Sequence, residues 1–200
     1  MRPGGSKEKG SEFERQTGTL LSLWITQGGR ADLFARNVLS GGQFTNALKR
    51  GSTELGTPGD LVANNPLAFA FLSMFFIECK HYKDLGFEAL LFDEGKSFLG
   101  QVLAGCRKQA KQAPQLMFPL VIARQNRRPT IMLCDGAVGH AFLRAVPRRR
   151  PAPRWHSLHD GSIMMMPFEA ALSVVSAEAF INEVAALRGD VKELPHAAHG

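Results

Sequence analysis

Cysteine is scarce in this 200-residue chain, and the three present, Cys79, Cys106 and Cys134, form no C-x-x-C pair. That spacing excludes a zinc ribbon, a dithiol redox pair and a cysteine-ligated iron–sulfur cluster. Each thiol sits among apolar neighbours, which predicts buried free cysteines. Long apolar runs are also missing. The longest, Leu67 to Ile77, spans eleven residues and contains Ser73, too short to cross a bilayer. No apolar segment follows the charge near Met1, so no secretory signal is expected and the chain reads as cytoplasmic. No internal repeat is apparent. Acids are nearly absent from one contiguous stretch: residues 100–154 hold 11 basic side chains against Asp135 alone.

What remains is an ordinary globular composition, 44% hydrophobic and 21% charged, which excludes a disordered tail, a collagen and a coiled coil. A chain of this length buries roughly 70% of its unfolded surface and holds a core without staples. The net charge of +6 is unevenly distributed. Residues 1–99 balance to zero, residues 100–154 carry +10 and residues 155–200 carry −4. A basic block of that density attracts polyanions, the alternative being a solvated loop with no partner.

Periodicity predicts a helix from Ser6 to about Thr26, with Phe13, Thr17, Leu20, Leu21 and Trp24 on one stripe and Gly28-Gly29 ending it. Ala31 to Val38 suggests a short helix, Ser40-Gly41-Gly42 and Thr57-Pro58-Gly59 mark turns, and Asp60 to Ala63 reads as a short strand. Phe69 to Ile77 fits a strand buried on both faces or the end of a longer buried segment. A helix is expected from Ser97 to about Ala113. Phe118–Ala123 and Thr130–Cys134 read as strands around the basic turn Gln125-Asn126-Arg127-Arg128-Pro129. A strand is expected within Ser162–Val175, a last helix at Ala177–Leu187 and a loose tail from Leu194. The order predicts a mixed α/β (α+β) domain around one central sheet.

The chemistry centres on Ile77-Glu78-Cys79-Lys80. On a strand Glu78 and Lys80 share a face while Cys79 takes the other. They follow Met74-Phe75-Phe76, so both charges need a partner, whether each other or a metal and a phosphate. Acid-x-Lys triplets also occur at Glu94-Gly95-Lys96 and Asp190-Val191-Lys192, among glycines and polar residues where a solvated pair is the default. Only the first ends an apolar run. Asp60, at a strand start beside a turn, either caps its own backbone or joins Glu78 to hold one Mg²⁺ through oxygen ligands. Glu8, Glu12 and Arg15 lie on the polar side of the first helix, whereas Glu14 projects between Leu21 and Ile25 on the flank of the buried stripe.

Taken in order, Lys9-Gly10-Ser11-Glu12-Phe13-Glu14-Arg15, Gly59-Asp60-Leu61-Val62-Ala63 and Phe76-Ile77-Glu78-Cys79-Lys80 resemble the PD-(D/E)xK nuclease superfamily. Within it they are most similar to archaeal-type Holliday-junction resolvases and related phage-encoded nucleases. The resemblance implies a restriction-endonuclease-like core, a central mixed sheet flanked by helices. The chain is accordingly read as a nuclease core (1–146), a proline- and arginine-rich linker (147–154) and a C-terminal strand-and-helix extension of the same domain with a loose tail (155–200). The resemblance itself covers residues 7–80 in order and the strand at Phe118–Ala123 more loosely.

Carried over position by position, Glu14, Asp60, Glu78 and Lys80 are the implied catalytic residues. Asp60, Glu78 and the backbone carbonyl of Cys79 would bind Mg²⁺, with Mn²⁺ substituting and Glu14 as an outer or water-bridged ligand. Lys80 would orient water or stabilise the phosphorane-like transition state. The implied activity is endonucleolytic hydrolysis of DNA, branched DNA in particular, by a homodimer, in recombination or repair. Two other readings stand beside it: a nuclease for linear duplex or single-stranded ends, and a non-catalytic basic DNA-binding protein.

Gln109, on the helix after the Glu78–Lys80 strand, is either a hydrogen-bonded core residue or a polar contact to substrate. Arg107, Lys108 and Lys111 are expected on that helix's exposed side. Arg124, Arg127, Arg128, Arg148, Arg149, Arg150 and Arg154 form the expected backbone grip, since Arg suits bidentate phosphate contact. His156, His159 and Asp160 are bracketed by Pro153 and Gly161, which favours a surface loop over a metal site, and Met164-Met165-Met166 reads as sheet core.

Replacing Arg148, Arg149 and Arg150 together with Ala is expected to weaken binding to every DNA sequence alike. The salt dependence of affinity should flatten by about 0.9 in log–log slope for each phosphate that is no longer neutralised. An unchanged slope in a filter-binding titration would place this stretch off the DNA.

Overall fold

The computed structural model describes residues 5–37, 59–113 and 115–189. The turn expected at Ser40-Gly41-Gly42, most of that at Thr57-Pro58-Gly59, and the tail lie outside them. Helix α1 (Gly5–Ile25) leads into a small antiparallel pair, β1 (Phe34–Arg36) with β2 (Leu61–Ala63), in which Phe34 pairs with Ala63 and Arg36 with Leu61. Then follow α2 (Pro66–Leu72), β3 (Phe75–Tyr82), α3 (Phe87–Phe92), α4 (Phe98–Ala110), β4 (Phe118–Gln125) and β5 (Ile131–Asp135). The described chain finishes with α5 (Gly136–Ala145), β6 (His156–Leu158), β7 (Ile163–Pro167), α6 (Phe168–Val174) and α7 (Ala177–Arg188).

The main sheet has five strands in the order β3-β4-β5-β7-β6. Only β3 and β4 are parallel, joined by the crossover through α3 and α4; the other neighbours are antiparallel. This is the mixed sheet flanked by helices of a restriction-endonuclease-like core, in agreement with the expectation from the sequence.

Strand alternation builds two cores, one on each face of the sheet. Phe75, Ile77 and Cys79 of β3, Leu120 and Ile122 of β4, Met132 and Cys134 of β5, and Met164 and Met166 of β7 face α1, α2, α5, α6 and α7. Phe76, Val121, Ala123, Leu133 and Ile163 face α3 and α4. The first core is knitted by aromatic rings: Phe75 lies 4.7 Å from Phe71 and 5.4 Å from Phe180 between ring centres. The Trp24 indole N–H reaches across to the Val175 carbonyl at 2.7 Å. All three cysteines are buried and free, and the methionine run is sheet core, both as expected.

Three expectations need correction. Residues 34–36 are a strand, not part of a helix, because Leu33 and Phe34 bury against α1 and the Leu33 N–H donates to the Ser22 hydroxyl at 3.1 Å. The apolar run at 69–77 is two elements. The Asn65 side chain caps α2, accepting from Leu67 N–H at 3.0 Å, and β3 starts only after the Ser73-Met74 turn. Helix α5 is not anticipated by the sequence pattern, since Gly136 and Gly139 weaken its helical signal. The glycines are required by packing: a Cβ on Gly139 would lie 2.2 Å from Met164 Cγ.

The joint between the small pair and the main sheet is equally tight. Gly59 sits at φ +98°, and a Cβ there would approach the Ile77 carbonyl oxygen to 2.6 Å. Gly59→Ala should therefore cost about 1–3 kcal/mol of stability, read as a lowered urea midpoint. A midpoint equal to wild type would show that this close approach can relax.

Candidate active site

Four elements deliver charged groups to the outer edge of β3, the strand that ends the sheet. β3 pairs with β4 on one side only, leaving the N–H and C=O groups of Ile77 and Cys79 directed outward. Asp60, immediately before β2, occupies that edge. Its N–H donates to the Ile77 carbonyl at 2.9 Å, and its carboxylate Oδ2 accepts the Cys79 N–H at 2.8 Å. This is the bracketing that a residue on a neighbouring parallel strand would give Glu78, with the side chain replacing one backbone carbonyl. The Asp60 segment is held from behind by Asn37, whose N–H donates to the Asp60 carbonyl and whose side-chain amide donates to the Gly59 carbonyl, both at 2.8 Å. Because the N–H and C=O of one strand residue point the same way, the Cys79 carbonyl also faces this edge.

Glu78 and Lys80 share the α4-facing side of β3 and form an ion pair, each 22% exposed. Glu14 arrives from α1 on the flank of the buried stripe and pairs with Arg36 of β1. Burial, then repulsion from Asp60, raises the Glu78 pKa above its ordinary value of 4.5, against the pull of Lys80. Glu14 is also raised, mainly by burial, with the Arg36 hydrogen bond opposing. For Lys80, burial favours the neutral form, but Glu78 and Asp60 together outweigh it and hold the ammonium charged. Glu14, Asp60, Glu78 and Lys80 thus feel one another's charge. The Cys79 thiol, pushed up by burial and then by Asp60, takes no part as a thiolate.

The donor set suits a hard divalent cation. Asp60, Glu78 and the Cys79 carbonyl are oxygen donors, and two partly dehydrated carboxylates that repel each other are stabilised by a shared positive charge. In the present side-chain arrangement those carboxylates turn to Lys80 and the β3 backbone, while Glu14 turns to Arg36. Among the described residues no group of three or more His, Cys, Asp and Glu side chains is spaced to enclose an ion.

The expected DNA-contacting residues divide. Lys108 and Lys111 at the end of α4, Arg127 and Arg128 in the β4–β5 turn, and Arg148, Arg149, Arg150 and Arg154 are exposed. Arg150 also donates to the Ser173 carbonyl at 2.9 Å. Arg107 does not fit the expected exposed contact. It is half-buried, donates to Asp135 Oδ1 at 2.6 Å and to the Ser162 carbonyl at 3.1 Å, and pairs with Glu94, so it ties α4 to the sheet.

Arg124 is also engaged. Its guanidinium lies 5.0 Å from the Phe13 ring centre and donates to Thr130 Oγ1 at 3.1 Å and Gln16 Oε1 at 3.0 Å. It lines a cleft of about 250 Å³ with Lys9, Glu12 and His81. Gln109 is half-buried beside, not within, the buried stripe of Leu99, Leu103, Cys106 and Ala110. His156 and Asp160 are exposed, and His159 meets the Leu90 carbonyl at 2.7 Å.

Sequence reasoning misses Arg36 and Asn37. Their roles depend on pairing between β1 and β2, and the segment between those strands carries no signal of it.

Comparison with known proteins identifies a family. The family model described as phage putative PDDEXK endonuclease matches residues 5–149, which include every element of the site. No curated protein and no solved structure matches the chain.

The raised carboxylates fix the sign of one pH effect. A folded-state pKa above the unfolded value means the folded protein holds its proton more tightly. That stabilisation is fully present below pH 4.5 and is lost as pH rises through the higher folded values. The urea midpoint should accordingly decline from pH 4.5 upward, and more shallowly in Glu78→Gln. Identical slopes in variant and wild type would show that Glu78 titrates normally.

Proposed function

The chain belongs to the phage putative PDDEXK endonuclease family, and on that footing we propose that it is a metal-dependent endonuclease that cuts branched DNA. The observation that carries this reading is Asp60 laid along the β3 edge opposite Glu78, with Lys80 paired to Glu78 on the adjoining face. Asp60, Glu78 and the Cys79 carbonyl hold Mg²⁺, or Mn²⁺ in its place, and Glu14 contributes as an outer or water-bridged ligand. The ion, when bound, supplies a water of lowered pKa and offsets charge on the phosphodiester.

The protein's own residues do the remaining work. Lys80, kept protonated by Glu78 and Asp60, faces the scissile phosphate and stabilises negative charge that grows during attack. Arg36 fixes the direction of Glu14, and Gly59 and Asn37 fix that of Asp60. No covalent enzyme intermediate is needed. The exposed residues Lys108, Lys111, Arg127, Arg128 and Arg148–Arg150, together with Arg154, grip the phosphate backbone, and Gln109 offers a polar contact at the edge of the α4 stripe.

Paired cuts at a four-way junction call for two copies of the chain, so the working form is a homodimer, acting in the cytoplasm of the host cell during recombination or repair. Among the described residues no single helix is long and apolar enough to cross a membrane.

Asp60→Asn and Glu78→Gln should each abolish Mg²⁺-dependent cleavage of a synthetic four-way junction while leaving DNA binding within about threefold of wild type, since phosphate contacts carry most of the affinity. Chelation by EDTA should have the same effect, reversed by added Mg²⁺. Equal cutting of linear duplex would redirect the activity to ends or ordinary duplex. Full cutting by either variant would remove these residues from the mechanism, and no cutting by wild type would leave a basic DNA-binding protein.

A further inference from the structure

Strand β3 continues past the charged pair with one more residue on the same face. Glu78, Lys80 and Tyr82 are spaced two apart, so Tyr82 lies about 7 Å beyond Lys80 along the strand. The ring of Tyr82 packs edge-on against Phe98 at the start of α4, with ring centres 5.1 Å apart and planes at 73°. Neither ring is core. Tyr82 is 45% exposed and Phe98 39%, although Leu99 beside it is fully buried. An aromatic pair left in solvent next to the charged pair is unusual for a surface whose other β3 residues are buried or paired.

The neighbourhood carries charge of both signs, with Lys83 and Asp84 directly after Tyr82 and Asp93, Glu94 and Lys96 just before Phe98, and it takes two arginines from the next hairpin. The β4–β5 turn is fastened to the end of β3: Asn126 N–H donates to the Tyr82 carbonyl at 3.1 Å, and the Asn126 side chain meets His81 at 3.1 Å. The Gln125 side chain accepts from Leu85 N–H at 3.2 Å on the far side of the same corner. That fastening brings the turn, in which Arg127 and Arg128 are exposed, to the same end of β3 as Tyr82. Exposed aromatic surface at the strand end that also holds an arginine turn matches a strand of phosphates carrying unstacked bases. An apolar protein segment would not need the arginines, and a closed duplex would keep its bases away from the rings.

We propose that Tyr82 and Phe98 form a stacking platform for one unpaired base of the substrate strand, adjoining the Glu78–Lys80 face, with Arg127 and Arg128 of the turn bonded to the Tyr82 carbonyl available to its phosphates. The inference rests on the nuclease reading above and specifies the substrate feature it takes: a nucleotide already freed from its pair, as at a branch point or a frayed end. Stacking tolerates any base, so the platform selects local structure and not sequence.

The test is binding without divalent cation, so it is independent of cleavage. The probe is a short single-stranded oligonucleotide carrying one aminopurine, alone or annealed to its complement. The wild-type chain should quench the aminopurine in the single strand and bind it. Tyr82→Ala and Phe98→Ala should each reduce single-strand affinity by about tenfold and abolish the quench. Tyr82→Phe, which keeps the ring, should restore both, and Phe69→Ala, which removes an exposed ring from α2, should match wild type. Both platform residues are partly exposed, so truncation spares the core, and circular dichroism checks this. Wild-type affinity and quenching in both alanine variants would overturn the platform. A quench in a protein that never cuts would sustain the platform and sink the nuclease reading alone.

Discussion

Asp60 meets β3 twice, through its own N–H at Ile77 and through its carboxylate at Cys79, and the site is built around that contact. An edge strand normally leaves its outward backbone groups to water. Here one residue satisfies two of them and so holds a carboxylate at a fixed height beside Glu78. The cost is visible in the surroundings. Gly59 must adopt a left-handed backbone to let the chain approach, Asn37 braces the turn from the other strand, and Glu78 is left with a raised pKa beside a second acid. Lys80 and Arg36 offset part of the resulting repulsion without removing it. The electrostatic tension and the close approach that only glycine allows occur at the same place.

Much of this is legible in the order of residues alone. Alternation along 75–82 separates Cys79 from Glu78 and Lys80, and the apolar run before them argues that their charges are partly buried. The wheel of α1 isolates Glu14 from Glu12 because its flank position follows from helix pitch alone. Other parts are hidden for physical reasons. Residues 34–36 are too few to show a period of two, and their strand character comes from burial under α1 and pairing with β2. Helix α5 carries glycines that local propensity counts against it, though close packing demands them, Gly136 against the Gly161 carbonyl and Gly139 against Met164. The run at 69–77 is apolar nearly throughout, so hydrophobicity does not mark the change from helix to strand near Ser73; the signal is Asn65-Pro66, a cap and a first-turn proline.

Charge count and charge use also differ. The basic stretch is dense in the sequence, but several of its arginines serve the fold, Arg144 pairing α5 with Glu183 of α7 among them. Arg107 joins α4 to Asp135 and the turn before β7, and Arg124 lies over Phe13 while bonding α1 to the β4–β5 hairpin. Sequence proximity cannot distinguish such anchors from exposed neighbours such as Lys108 or Arg127, because partners such as Asp135 and Gln16 lie 28 and 108 residues away. The basic side chains expected on DNA and left exposed lie at one helix end, in one tight turn and in the segment after α5. Tyr82 belongs to the same lesson in reverse: its alternation with Lys80 is plain in the sequence, but only its contact with Phe98 and its exposure make it more than the end of a strand.

The two rims of the main sheet are unequal, and both resist recruitment by a stranger's backbone. On one rim the Asp60 bracket takes the Ile77 carbonyl and the Cys79 N–H at the middle of the strand. On the other, β6 offers only three residues before Pro153 and the turn at Gly161 interrupt it on either side. Among the described residues, strand-by-strand stacking of copies therefore has little template at either end, and a pairing of two molecules would fall to side chains and helices.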